Sequence, residues 1–164
     1  MTLTELLAGI IVMLLVAGIM VIGVKLGSDA YVKSVSMSEA QQLCSTLTSL
    51  VNDELRYCGT IYLEDNNNVS FFSNNFGGSN NAGLSFDQNK KGQVVLKDEA
   101  GRSFRILSRN SYPYNLKGRV GLTYDQKSGD NGTFNAKVEV YRTEGKVLAT
   151  TTFQVQPLNH VVVK

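Results

Sequence analysis

The sequence predicts an α+β fold in which one long N-terminal helix packs on a C-terminal antiparallel β-meander. Three observations lead to this prediction. The first 58 residues contain no proline, and their apolar residues are continuous at first and then recur with helical spacing. Residues 60–92 are rich in Asn and Gly. From residue 93 onward, apolar residues alternate with polar ones, as they do in half-buried strands.

The first half of the predicted helix is apolar on all sides. Residues 6–24 form a run of 19 without a charged or strongly polar side chain, and one acid, Glu5, precedes them. A run of about 18 or more such residues is a candidate transmembrane helix. We therefore treat residues 1–27 as one segment. Its glycines Gly18, Gly23 and Gly27 weaken helix propensity, and we expect them to bend or locally melt the helix.

The second half of the helix, residues 28–59, is predicted to be amphipathic. Its apolar residues recur three and four positions apart, which predicts one buried stripe: Val32, Val35, Ala40, Leu43, Leu47, Leu50, Val51 and Leu55. Gly59 is a candidate C-cap. One helix over residues 1–58 would be about 87 Å long, whereas a compact domain of this size has a radius of gyration of about 15 Å. We therefore expect the apolar half to protrude from a globular head formed by residues 28–164.

The rest of the chain is predicted to be a loop followed by one sheet. Residues 60–92 resemble a loop between helix and sheet, with short edge strands at 61–63 and 69–72. Residues 93–164 are predicted to form an antiparallel sheet with one apolar face that meets the helix stripe. Its strands are expected at 94–97, around Phe104 and Ile106, at 116–124, at 134–141 and at 147–155, with turns at 98–101, 128–132 and 144–145.

The composition argues against several classes of function. The net charge is +2, which is too weak and too evenly spread for a nucleic-acid binder. His160 is the only histidine, and we find no catalytic constellation and no phosphate-binding loop, so we expect neither an enzyme nor a cofactor nor a metal site. The turn at residues 125–132 lacks the spacing of a calcium loop. Asn68 and Asn131 each begin a glycosylation sequon, a pattern that often occurs by chance.

The two cysteines, Cys44 and Cys58, are 14 positions apart. On one helix they would lie about 21 Å apart along the axis, whereas a disulfide requires Cα atoms within about 7 Å. Either both are free thiols that face the sheet, or the helix ends well before Cys58 and a disulfide is possible. Free, buried thiols that act as small apolar residues are favoured.

The first seven residues, MTLTELL, together with the apolar run, resemble the mature N-terminus of a type IV pilin or pseudopilin, of the class III prepilin type. Thr2, Leu3, Glu5 and Leu6 match the processing motif of that family. The family architecture is also similar, with a long helix, a loop and an antiparallel sheet. The chain departs from the family at Met1, where Phe is preferred, and at residues 22–23, where many members have a proline.

The resemblance implies a non-enzymatic structural subunit, a major pilin, that polymerises through residues 1–27 into a helical surface filament for adhesion or motility. A prepilin peptidase would cleave before Met1 and methylate its amine. The other implied partners are further copies of the chain, minor pilins, the membrane, and a membrane assembly platform with its ATPase. The precursor would reside in the inner (cytoplasmic) membrane, and the filament would be extracellular.

Two questions stay open at this stage. A carboxylate in apolar surroundings is costly unless it is paired, so Glu5 could bind the Met1 amine of a neighbouring copy and set the register of assembly. Alternatively, Glu5 is only an acid in the first turn, where the helix dipole favours it. The alternative functions are a pseudopilin or minor pilin of a secretion or DNA-uptake system, and a single-span anchored binding domain that does not polymerise.

Overall fold

A computed structural model describes residues 2–63, 69–73, 75–76, 83–126, 132–142, 146–159 and 162–163. The chain divides into two compact units, Met1–Ser38 and Glu39–Lys164. One helix, α1, runs through the first unit and into the second. The second unit also contains all the strands that the structure describes.

Helix α1 spans Leu3–Arg56, 54 residues, which confirms the prediction of one long helix. It is helical through Gly18, Gly23 and Gly27, so the predicted local melting is absent. That these glycines bend the helix stays a prediction. The proposed C-cap is wrong, because Gly59 lies three residues beyond the helix, where its N–H donates to the Phe72 carbonyl at 3.2 Å.

The buried stripe of α1 begins later than predicted. Ala40, Leu47, Val51 and Leu55 are fully buried, and Leu43 and Cys44 nearly so. Val32, by contrast, is 52% exposed, and Val35 is half-buried. The four-residue steps from Leu43 to Leu55 keep one face of the helix turned to the sheets. The amphipathic prediction is therefore confirmed only from Ala40 onward.

Nine strands lie within the described residues. In chain order they are β1 Thr60–Leu63, β2 Val69–Phe71, β3 Leu84–Gln88, β4 Val94–Asp98, β5 Ser103–Arg105, β6 Lys117–Asp125, β7 Thr133–Tyr141, β8 Val147–Val155 and β9 Val162–Val163. They form two sheets, one of six strands in the order β5-β4-β3-β2-β1-β9 and one of three strands in the order β6-β7-β8.

The first sheet corrects the predicted loop. Residues 60–92 contain three of its strands, and β1 and β2 are interior strands rather than edge strands. Every residue of β2 is buried, including the polar Ser70, so its apolar-polar-apolar sequence resembles a half-buried strand although both faces are covered. The predicted turn at residues 98–101 does join β4 to β5, with Val95 opposite Arg105. Strand β9 pairs with β1 in parallel and was not predicted.

The second sheet confirms the three long antiparallel strands but not the prediction of a single sheet. Val138 on β7 lies opposite Val120 on β6 and Thr151 on β8. Two 3₁₀ turns, Arg109–Ser111 and Pro113–Asn115, separate β5 from β6. In the second turn Tyr114 and Asn115 have φ angles of 50° and 57°, a left-handed conformation that redirects the chain into a new sheet. The predicted turns at 128–132 and 144–145 lie largely or wholly outside the described residues.

The core of the second unit lies between residues 40–58 and the two sheets. Leu47, Phe71, Leu96 and Phe134 are among its largest buried side chains. On β7 the alternate residues Phe134, Ala136, Val138 and Val140 are all fully buried, as predicted. Strand β8 is an edge strand and is less covered: Val155 is buried, and Ala149 and Phe153 are half-buried. The prediction that Val147 lies on the same face is wrong, because a register shift places it opposite Tyr141, and it is 46% exposed. Fold and core together show an α+β arrangement, with the helix on an antiparallel sheet.

A buried carboxylate fixes the segment after β2 to the end of α1. Glu54 is 8% exposed. Its two oxygens accept hydrogen bonds from Ser73 Oγ at 2.6 Å and Asn75 Nδ2 at 2.8 Å. Ser73 Oγ in turn accepts from the backbone N–H of Asn75 and Phe76. The chain thus satisfies this acid with its own donors, as a buried charge requires.

Candidate assembly surface on the N-terminal helix

The most unusual surface of the chain is the part of α1 formed by residues 6–24, here called the apolar surface. Fourteen large apolar side chains lie on it, and their exposed fractions range from 46% at Val16 to 76% at Met13. The helix contains an 18-residue window with a mean hydropathy of 2.9, none of which is buried. By length and composition this segment could span a membrane, since 19 residues of helix cover about 28 Å.

The apolar surface is exposed around the whole circumference of the helix rather than along one stripe. Leu14, Leu15 and Val16 are consecutive and therefore point in three different directions, yet all three are exposed. A soluble protein rarely leaves a continuous apolar patch of this extent in water, and such patches mark sites of contact with protein or membrane. The surface therefore requires a partner on every side, which the described residues of the chain do not supply.

Glu5 lies at the N-terminal end of the apolar surface and is held by a local hydrogen bond. The Thr2 backbone N–H donates to Glu5 Oε2 at 2.9 Å, and the Thr2 carbonyl accepts from the N–H of Glu5 at 3.0 Å. Thr2, Leu3, Thr4 and Glu5 have the order of a capping box, in which the acid bonds back to the cap residue. Only the bond from the Thr2 N–H to the acid is formed. The Thr2 hydroxyl does not cap the helix, because it pairs with the Thr4 hydroxyl at 3.0 Å.

This geometry leaves one acceptor of Glu5 unused. In the described part of the chain, Glu5 Oε1 accepts no hydrogen bond. The capping bond favours the interpretation of Glu5 as a first-turn acid, whereas the free oxygen remains available to a donor from another molecule. The capping role of Glu5 was not predicted, although the T-x-x-E spacing was a readable signal for it.

The other residues of the predicted processing motif are placed as follows. Thr2, Leu3 and Leu6 are exposed beside Glu5, and Leu3 is 84% exposed. Met1 lies outside the described residues, so its role in processing, methylation and register stays a prediction. A Cβ added to Gly18, Gly23 or Gly27 would meet nothing within 4 Å. The structure thus brings Thr2 and Glu5 together and leaves the glycines open for contact with other molecules.

The two cysteines belong to the core and not to a site, as predicted. Both are free and buried. Cys44 Sγ lies 3.5 Å from Thr151 Oγ1 and 3.9 Å from the Val138 carbonyl oxygen, so it faces the second sheet. Cys58 follows the end of α1, and burial raises the pKa of its thiol to about 12. A thiol with so high a pKa stays protonated and unreactive at neutral pH.

No metal centre is formed within the described residues, since they contain no group of three or more His, Cys, Asp or Glu side chains that could hold an ion. His160, Asn68 and Asn131 lie outside the described residues, as do residues 127–131 of the turn compared with a calcium loop. Comparison of the chain with protein-family models, with curated proteins and with solved structures finds no match.

Proposed function

We propose that this chain is a structural subunit of a type IV pilus that polymerises through its N-terminal helix. The observation that carries the proposal is the apolar surface, with all fourteen of its large apolar side chains exposed and a single acid at its N-terminal end. The motif Thr2, Leu3, Glu5 and Leu6, which resembles that of the pilins, supports the same function. The second unit has its own core, so it does not need the apolar surface to fold.

The apolar surface has two successive environments in this proposal. As a precursor, the chain resides in the inner or cytoplasmic membrane with residues 6–24 across the bilayer. On assembly these residues leave the lipid and pack against the same residues of neighbouring copies in an extracellular filament. Packing of this kind is driven by close van der Waals contact between helices and not by their removal from water, because lipid is as apolar as the helices.

Glu5 supplies the register of assembly in this proposal. A run of similar apolar side chains packs almost equally well at several offsets, and one buried polar pair removes this ambiguity. The unused Oε1 of Glu5 accepts from the Met1 amine of the neighbouring copy, while Oε2 keeps its local bond to the Thr2 N–H. Each copy then presents an amine to one neighbour and a carboxylate to another, a head-to-tail contact that does not close into a ring and so forms a helical polymer.

Two substitutions at Glu5 separate register from capping. Glu5→Gln keeps an oxygen that can accept from the Thr2 N–H but removes the charge, whereas Glu5→Ala removes both. If Glu5 acts by pairing with an amine, both variants lose most of the filament in material sheared from cells. If Glu5 acts only as a cap, Glu5→Gln retains wild-type yield, and the register role is wrong. Circular dichroism of each variant in detergent controls for an unchanged helix content.

Processing is tested by mass spectrometry of the N-terminal peptide in sheared material. The proposal predicts a peptide that begins at Met1 with one additional methyl group, the product of a prepilin peptidase. An unmodified or formylated Met1, on a chain found only in the membrane fraction and as a monomer in detergent, would instead support a single-span anchored domain. A methylated chain confined to the envelope without surface filaments would support a pseudopilin.

A further inference from the structure

A concave site on the second unit contains three cationic side chains from three different elements. Lys91 lies in the turn between β3 and β4, Arg109 in the first 3₁₀ turn, and Lys117 at the start of β6. The site has a volume of 520 Å³, within the range of about 300–1,000 Å³ that small-ligand sites occupy. None of the described residues that line it has a carboxylate.

The three cations have no acidic partner within the described part of the chain. The bases that do form salt bridges there are Lys97, Arg102, Arg119 and Lys137. The local composition explains the difference, since residues 90–119 contain eight of the sixteen basic residues and two of the fourteen acids. Three like charges around one concavity repel one another, and the repulsion is relieved when an anion binds among them.

The position of Lys117 is fixed by a close approach of two backbone segments. Its side-chain stem lies across Gly92, where a Cβ would overlap the Lys117 carbons from Cβ to Cδ. Gly92 has a φ of +78°, a conformation that side chains other than hydrogen rarely adopt. The Gly118 N–H donates to the Gly92 carbonyl at 2.9 Å and holds the two segments together. The ammonium group of Lys117 is therefore carried on a stem with restricted freedom.

Gln93 adds a side-chain donor that no described residue engages. Asn89 Oδ1 accepts from the N–H groups of Lys91 and Gln93, so Asn89 presents its Nδ2 to Gln93 Oε1 at 3.0 Å. Because Gln93 Oε1 accepts this bond, Nε2 is the remaining polar atom of the Gln93 side chain. Nε2 donates to no described residue. Gln93 is only 6% exposed as a whole, and its Nε2 is the part of the side chain that stays open to a ligand in the concavity.

Tyr112 completes a lining dominated by donors. Its hydroxyl oxygen accepts from the Val94 N–H at 3.1 Å, which leaves the O–H free to donate. Ammonium, guanidinium, amide N–H and phenol O–H groups all require acceptors, and three of these side chains are charged. The matching ligand is a compact anion with several oxygens, and Arg109 can bind two of those oxygens at once.

We propose that this site binds the phosphate or sulfate group of a small ligand. The site uses none of the residues of the apolar surface, so the proposal is independent of filament assembly. Inorganic phosphate and a phosphate ester share the chemistry that the lining recognises, and they differ in whether the remaining volume of the site is filled. Asn115, which is left-handed like Tyr114, also lines the site, together with Leu116.

The test is isothermal titration calorimetry of the full chain in a non-ionic detergent. Sodium phosphate and sodium sulfate are compared with sodium chloride at matched ionic strength. We expect phosphate to bind with a Kd of about 1 mM and chloride to give no saturable heat. A second titration with glucose 6-phosphate distinguishes a phosphate ester from the free ion as the ligand. Binding about tenfold tighter than that of inorganic phosphate assigns the site to an ester. Equal binding assigns it to the free ion.

Matched pairs of neighbouring bases test the location. Lys91→Gln and Arg109→Gln each remove a charge from the site and should weaken phosphate binding about tenfold. Lys90→Gln and Arg105→Gln remove an exposed charge nearby that does not line the site and should change binding less than about twofold. The proposal is overturned if chloride competes as well as phosphate does, or if both members of a pair weaken binding equally.

Discussion

The two halves of α1 have the same secondary structure and opposite surroundings. From Ala40 to Leu55 the helix buries one stripe in a core that the second unit completes. Over residues 6–24 it is apolar on every side, yet none of its side chains is buried. In the second half the sequence contains both the helix stripe and the sheets that cover it. In the first half, the described residues supply the helix and nothing that covers it.

The difference is large in energetic terms. Burial of one Leu, Ile, Val or Met side chain contributes about 1.5–3 kcal/mol relative to water. The fourteen exposed side chains on the apolar surface therefore carry tens of kcal/mol that are gained only in lipid or in an assembly. The core of the second unit, by contrast, is complete within one chain, and it should unfold as a unit whose stability is independent of assembly.

The sharpest way to break this comparison is to truncate a leucine in each half. Leu47 is fully buried and Leu14 is 67% exposed. We expect Leu47→Ala to lower the free energy of unfolding by about 3–4 kcal/mol, through lost burial and a cavity. Leu14→Ala should change it by less than about 0.5 kcal/mol in detergent. Thermal unfolding of the full chain in detergent, followed by near-ultraviolet circular dichroism of the second unit, measures both.

Assembly should respond in the reverse sense. Because Leu14 lies on the apolar surface, Leu14→Ala should reduce the yield of sheared filament while the monomer stays as stable as the wild type. Equal losses of monomer stability from the two substitutions would mean that residues 6–24 pack within their own chain, and the contrast between the halves would be wrong.

A smaller effect is expected from glycine substitutions in the two regions. Gly118 lets β6 approach the helix, and a Cβ there would lie 2.9 Å from both Leu47 Cδ1 and Val94 Cγ2. We expect Gly118→Ala to cost about 1–3 kcal/mol of stability through overpacking. Gly18→Ala meets nothing within 4 Å and should raise helix propensity by about 1 kcal/mol. Chemical denaturation in detergent measures the stability loss of Gly118→Ala, and far-ultraviolet circular dichroism measures the gain in helix content of Gly18→Ala. If Gly118→Ala left the stability unchanged, the helix and β6 would not be closely packed.

The smallest effect concerns a carboxylate with partners inside its own chain. Glu139 accepts from Lys137 Nζ at 2.7 Å and from the Arg119 guanidinium. Bonds from Lys137 first and Arg119 second hold the pKa of Glu139 below its usual value. A lowered pKa in the folded state gives stability that is present above the unfolded value, near 4.5, and is lost as the pH falls through the folded value.

Glu139→Gln should therefore lower the Tm by about 2 °C at pH 7, since both cationic partners are largely exposed and screened. The gap between wild type and variant should narrow when the pH is lowered from 7 to a second value well below 4.5. Scanning calorimetry at the two pH values measures it. Glu5→Gln is the matched variant in the other region and should leave the Tm unchanged at both. A gap that widened in acid would contradict the assigned ion pairs.

Much of the fold could be predicted because its signals are local. The absence of proline and the four-residue steps from Leu43 to Leu55 specify α1, and alternation specifies β6, β7 and β8. Strand β2 was predicted as an edge strand and not as an interior one, because the polar Ser70 between Val69 and Phe71 suggests an uncovered face, whereas all three residues are buried. The segment between the two sheets includes Tyr114 and Asn115 in a left-handed conformation, and no glycine marks that turn in the sequence.

The candidate sites divide in the same way. Glu5 and the apolar run are contiguous, so the sequence alone identified the apolar surface. The cationic site joins residues 91, 109 and 117, which are far apart in the sequence and lie together only in the folded chain. No spacing rule connects them, although the excess of basic over acidic residues in residues 90–119 was a readable signal that the low net charge of the whole chain concealed.

Photocrosslinking on cells tests the central claim most directly, namely that copies of the same chain cover residues 6–24. A photoreactive amino acid replaces Leu14 on the apolar surface, and in a control chain it replaces Lys146, which is exposed on the second unit. We predict a ladder of chain-to-chain products from the Leu14 position in the sheared filament fraction, and far fewer from the Lys146 position. Only monomers and lipid adducts at the Leu14 position, on chains that stay in the membrane fraction, would contradict the account.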